Sequence, residues 1–129
     1  MKADAPDLER AAAEYDALLA EPLDLLVLGI GEDGHTASLF LGSPLVREHV
    51  RRVAAVLDSP KPPPRRLTIT PRVIAESRAV PMLASGAGKA AAVARALAPG
   101  ADPLATPASL GDARACGSPD AAATSALGR

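Results

Sequence analysis

The chain has 129 residues, 48% of them apolar, and a formal net charge of -1 from 14 Lys and Arg against 15 Asp and Glu. This describes one globular domain at most, and it excludes a disordered chain or a charge field suited to a polyanion or a membrane surface. Aromatics are 2%, with Tyr15 and Phe40 alone and no Trp, so the stacking platform of a single-strand nucleic-acid binder is absent and no nucleic-acid partner is expected.

Asp7 to Ala20 carries Leu8, Ala11, Ala12, Tyr15, Leu18 and Leu19 at helical spacing, with Pro6 at its start and Glu21-Pro22 at its end, and reads as an amphipathic helix. Leu23 to Leu28, closed by Gly29, is a nearly continuous apolar run of the kind expected for a strand buried on both faces of a parallel sheet. Val53 to Leu57 is a second strand candidate, and DSPKPPPRR after it predicts a stiff, exposed, helix-free connection. Leu67 to Thr70 reads as a third strand, Thr70-Pro71 as the cap and first position of a helix over 72–77, and Ala79 to Ala84 as a fourth strand that Pro81 interrupts. After Ser85-Gly86-Ala87-Gly88 comes an Ala-rich helix from Lys89 to Ala98, stopped by Pro99-Gly100. Helices alternating with strands predict an α/β fold over 1–110. From Gly111 to Arg129 large apolar groups are sparse, and a poorly ordered tail is expected.

The segment LDLLVLGIGEDGHTASLF, from Leu23 to Phe40, carries the chemistry. Where a strand runs through a polar turn into the next element, open α/β sheets place their sites. Two readings of GIGEDGH stand on local sequence. In one, Gly29, Gly31 and Gly34 permit a tight reversal, Glu32 and Asp33 are solvated, and His35 caps or packs. In the other, the glycines let backbone amides approach a ligand, and a carboxylate two residues before His35 fixes its tautomer and makes it a general base.

Three ordered motifs decide between them. GIGEDGHTASLF, DSPKPPPRRLTIT and SGAGKAAAV, spread from Gly29 to Val93, resemble the signature turn, the proline-rich loop with its arginine, and the phosphate-proximal Gly-x-x-Lys of the 6-phosphogluconolactonase family, which is related in fold to the glucosamine-6-phosphate deaminases. The resemblance implies a Rossmann-like parallel sheet flanked by helices. It covers the family's C-terminal half, so the sheet and the site are expected to be incomplete in this chain, with exposed edges open to self-association. The implied activity is hydrolysis of 6-phospho-D-glucono-1,5-lactone, a phosphosugar lactone, without metal or cofactor. His35 would be the base, with Asp33 and Glu32 orienting or tuning it. Amides of Gly29, Gly31 and Gly34 would stabilise the oxyanion, and Arg66 and Lys89 would supply charge to the 6-phosphate. A deaminase or isomerase of aminosugar phosphates, and a noncatalytic phosphosugar-binding or subunit-interaction remnant, are the alternatives.

Other candidates carry less. His49 has no matched partner. Ser38 lacks the G-x-S-x-G elbow, and SGAGKA lacks the first glycine and the Ser or Thr of a Walker loop. Cys116, the single cysteine, excludes an internal disulfide and a multi-Cys metal site, and it lacks the surroundings of a nucleophile. The N-terminus has no apolar h-region or cleavage motif, and the longest apolar runs fall well short of the ~20 residues that span a bilayer. A cytoplasmic location and no membrane partner are expected.

Overall fold

Helix α1 (Leu8–Leu18) starts one residue after the predicted Asp7, which is extended and caps it, its carboxylate accepting from the Arg10 amide at 3.1 Å. The computed structural model describes residues 4–110, so the expectations for Cys116 and for the tail from Gly111 to Arg129 lie outside the described residues. Leu8, Ala11 and Ala12 are buried, with Tyr15 and Leu19 packed beside them. Leu18, expected on the same stripe, is 77% exposed, because Leu19 one step further round the helix takes the inner position. Asp16 ties α1 to β2 (Val53–Val56), its Oδ2 accepting from the amides of Arg52 and Val53.

Strand β2 pairs antiparallel with β3 (Arg66–Ile69), with Val53 opposite Ile69 and Val56 opposite Arg66. This antiparallel pair stands beside the parallel pairing that the sequence predicts. Residues 57–65 form a proline-rich return without a helix, and a connection of that kind joins antiparallel neighbours, whereas parallel neighbours need a longer crossover. Such a crossover separates β1 (Leu28–Gly29) from β4 (Met82–Leu83), which do pair in parallel, Leu28 in register with Met82. The fold is α/β, and its parallel part is small.

The two segments run side by side for longer than their regular ladder. The Arg78 amide donates to Leu23 O at 2.9 Å, Leu26 to Ala79 O at 2.9 Å and Leu28 to Pro81 O at 3.0 Å. Pro81 has no N–H to return, and the ladder becomes regular after it. Burial on both faces does not extend along the whole apolar run: Leu25 is 60% and Val27 50% exposed, since no described element covers that side.

Helix α2 (Pro71–Glu76) begins with Pro71 after Thr70, as the sequence predicts, but the Thr70 hydroxyl donates to Arg51 O at 2.5 Å rather than capping the helix. Helix α3 (Ala90–Leu97) buries Ala92, and Val93 and Ala96 pack at the edge of the core. That core gathers Leu28, Ile30, Leu39, Ile69, Ile74 and Met82. Leu39 has no exposed surface, and it follows the polar turn by only a few residues, so one side chain joins the turn to the core. Leu39→Ala should lower unfolding free energy by about 2–5 kcal/mol, measured by urea titration with an unchanged slope.

Candidate active site

Beyond β1 the backbone closes on itself. The Gly31 amide donates to His35 O and the Gly34 amide to Gly31 O, both at 2.9 Å, while the Thr36 hydroxyl reaches back to Gly29 O at 2.8 Å. Gly34 sits at φ +95, a conformation costly to any residue with a Cβ, and packs on the Thr106 methyl. Ala108 N donates to Gly34 O at 2.9 Å and anchors the turn to the 3₁₀ segment Pro107–Leu110. Gly31 is required for space: a Cβ there would overlap the His35 ring and lie 2.7 Å from Asp33 Oδ1. Gly29 is not, because a Cβ on it would meet nothing within 4 Å.

The amides of Gly31 and Gly34 both donate within the turn. They shape the site by holding it shut.

The turn brings Asp33 and His35 together. Asp33 Oδ1 meets the His35 ring at Nδ1, 2.5 Å away, and accepts from the His35 amide at 3.1 Å. An ionised carboxylate can only accept, so Nδ1 carries the proton, and in the neutral ring Nε2 is the atom with the free lone pair. Burial pushes the Asp33 carboxyl up, but the ring and amide hydrogen bonds from His35, with the charge of Lys61, outweigh it and hold the group below the ordinary carboxylate range. The Phe40 ring lies 4.9 Å from the imidazole, tilted by 35°, and limits its movement on that side. Glu32 is placed differently. Its side chain lies against Gly88, where a Cβ would come within 2.7 Å of Oε1, and its carbonyl accepts from Arg95 Nη2 at 3.2 Å. Asp33, not Glu32, is the carboxylate at the ring.

The expected cations converge on the same turn. Lys89, in the turn that leads into α3, donates through Nζ to Ile30 O at 2.6 Å, just past β1. Arg66 lies with its guanidinium carbon 5.7 Å from the Phe40 centroid, and its Nε and Nη2 donate to the carbonyls of Pro63, Lys61 and Pro62. Lys61 was not singled out by the sequence, yet its Nζ stands 3.7 Å from Asp33 Oδ2. The one signal available was a lone lysine embedded in a proline run. His49 is exposed and apart from this cluster. Among the described residues no three His, Cys, Asp or Glu side chains gather as metal ligands, and no helix is long and apolar enough to cross a membrane.

A strand of an α/β sheet thus ends in a Gly-rich turn that presents a His–Asp pair beside lysine and arginine side chains, an arrangement chemically suited to general-base work next to an anion. The family model for glucosamine-6-phosphate isomerases/6-phosphogluconolactonase matches residues 1–117, and the chain belongs to that family. It is 50% identical over 111 residues to the 6-phosphogluconolactonase of Mycobacterium tuberculosis, covering 79% of this chain and 44% of the relative. To the human 6-phosphogluconolactonase it is 45% identical over 98 residues, covering 70% and 38%. The solved 6-phosphogluconolactonase of Trypanosoma brucei superposes with a TM-score of 0.69 at 32% identity, over 91% of this chain and 51% of that one. The chain thus spans less than half the length of these curated relatives.

Gly31→Ala should displace the imidazole, lower stability by about 1–3 kcal/mol as overpacking does, and abolish the Nδ1–H tautomer signature of His35 in ¹⁵N spectra. For Asp33 the folded carboxyl lies below its unfolded value, so its stabilisation is complete above the unfolded value of about 3.9 and is lost as pH falls through the lower folded one. The difference in Tm between the wild type and Asp33→Asn should therefore stay constant from neutral pH to about 4 and shrink below it.

Proposed function

We propose that this chain carries the hydrolytic centre of a 6-phosphogluconolactonase, converting 6-phospho-D-glucono-1,5-lactone to 6-phosphogluconate in the oxidative pentose phosphate route. The observation that carries this reading is the Asp33–His35 contact at 2.5 Å, which leaves Nε2 free as a base. Water gives its proton to Nε2 as its oxygen attacks the lactone carbonyl, and Asp33 balances the charge on the imidazolium. The tetrahedral intermediate collapses with cleavage of the ring C–O bond, and Nε2 returns the proton to the departing oxygen, which becomes the C5 hydroxyl. This sequence of proton transfers draws on neither metal nor cofactor.

Lys89 uses one ammonium proton on Ile30 O and has two more to offer the 6-phosphate, at the turn that opens α3. Arg66 adds positive charge beside Phe40 and would offer its Nη1 donors to the phosphate, while Nε and Nη2 hold the loop. A cytoplasmic location fits a phosphorylated substrate and a chain with one cysteine.

His35→Ala should lower the lactonase rate by about 10²–10⁴-fold, the usual contribution of a general base, and Asp33→Asn should lower it as well by releasing the imidazole. A rate unchanged after subtraction of spontaneous hydrolysis refutes the assignment. Ammonia release from an aminosugar phosphate in place of lactone hydrolysis moves the chain to the isomerase branch.

Self-association is part of the same proposal. Leu25 and Val27 are exposed on the apolar run that leads into β1, whose Leu23 and Leu26 line a groove of about 360 Å³ together with Tyr15, Leu19 and Leu67. Light scattering is expected to show a concentration-dependent mass, which Val27→Lys reduces; a wild-type mass that stays monomeric at all concentrations rules this out.

A further inference from the structure

Five contacts close a ring around the candidate base. Asp33 Oδ1 meets His35 Nδ1 at 2.5 Å, His35 faces Phe40 at 4.9 Å, and the Arg66 guanidinium lies 5.7 Å from the Phe40 centroid. Arg66 Nη2 donates to Lys61 O at 2.9 Å, and Lys61 Nζ returns to Asp33 Oδ2 at 3.7 Å. We propose that Lys61 is a positioning residue for the His35–Asp33 pair, its loop clamped by Arg66 so that the ammonium holds the carboxylate oxygen that His35 does not.

The backbone of Lys61 shows why this lysine differs from an ordinary surface charge. Prolines at 60, 62, 63 and 64 have no amide to donate, so the loop has few backbone hydrogen bonds with which to fix its shape. Side chains replace them around Lys61. The buried Ser59 hydroxyl accepts from the Lys61 amide at 3.1 Å and donates to Lys61 O at 2.7 Å. Arg66 adds donors to the carbonyls of Lys61, Pro62 and Pro63, and the Ser59 amide closes the loop on Pro64 O at 2.8 Å. Both backbone polar groups of Lys61 are therefore tied down within an exposed loop.

The strength of the ion pair is not the point. An exposed lysine–carboxylate pair contributes about 0–1 kcal/mol, too little to matter as stability. Orientation is another matter. A carboxylate held through Oδ1 alone can turn about its Cβ–Cγ bond, and each turn exchanges the oxygen facing Nδ1. With Oδ2 facing a cation on an anchored loop, the plane of the carboxylate is fixed from both sides, and the Nδ1–H tautomer is favoured over Nε2–H. Lys61 does this through Asp33 and needs no contact with substrate.

The test uses the full chain with Lys61→Met, Lys61→Arg and Arg66→Lys, and reads the His35 ring by ¹⁵N NMR with the exposed His49 as internal reference. The wild type should show the Nδ1–H tautomer. Lys61→Met should give a mixture of tautomers with the remaining amide spectrum intact, and Lys61→Arg should restore the wild-type signature. Arg66→Lys keeps the charge but loses the planar fork on the loop carbonyls, so it should reproduce the mixture. An unchanged tautomer in Lys61→Met overturns the proposal, as does a mixture in Lys61→Arg equal to that in Lys61→Met. This arm needs no turnover, so its failure is distinct from failure of the lactonase reading. A second arm rests on that reading: Lys61→Met should lower kcat about tenfold with KM nearly unchanged, the pattern of lost positioning. A raised KM with kcat intact makes Lys61 a substrate contact and overturns the proposal.

Discussion

The hydrogen bond between Asp33 and the His35 ring is the interaction on which the site depends, and a turn tight enough to make it is the constraint behind that bond. Residues two apart in a chain do not ordinarily face each other, and here they do because the backbone between Gly31 and His35 folds back and bonds to itself. The closure requires a residue without a Cβ at Gly31, where the imidazole fills the vacant space, and a positive φ at Gly34. The Gly31 and Gly34 amides are the donors of this closure. The turn is a holder for the imidazole before it is anything else.

The sheet delivers this turn to a defined place. Pairing of residues 23–28 with 78–81 sets the direction of β1, and Ile30 beyond it is anchored in the core while its carbonyl receives Lys89. Leu39 then draws the far side of the turn back inside, with Thr68 Oγ1 accepting from the Ser38 amide at 3.1 Å. Ala37, at φ 49, takes the strain of this second reversal. The site is thus suspended between two buried anchors, and the segment between them is free to be polar.

Positive charge reaches the turn by three separate routes, Lys89 and Arg66 held by backbone carbonyls and Lys61 facing the Asp33 carboxylate. Lys89 comes from the start of α3, Arg66 from the first residue of β3, and Lys61 from the loop between β2 and β3. Carbonyl acceptors hold a cation without neutralising it. The Lys89 ammonium and the Arg66 guanidinium therefore keep their net charge while losing the freedom to swing into solvent, which reduces the ordering cost of any anion they meet.

Much of this was legible in the sequence, wherever the determining physics is local. Asp7, Thr70-Pro71 and Pro99-Gly100 punctuate helices through their own caps and dihedral limits, so α1, α2 and α3 lie within a residue or two of where the pattern places them. The Asp33–His35 pairing belongs to the same class, since both groups sit within one turn. Other features depend on groups far apart in the chain. The antiparallel sense of β2 and β3, the exposure of Leu25 and Val27, and the hydrogen bonds from the amides of Gly31 and Gly34 follow from which segments meet, not from which residues they contain. Lys61 shows the division most sharply. Its charge and its proline neighbours are written in the sequence, but its approach to a carboxylate 28 positions earlier exists only once Arg66, Ser59 and Phe40 have set the loop in place, because a long-range pair is decided by the packing that carries it.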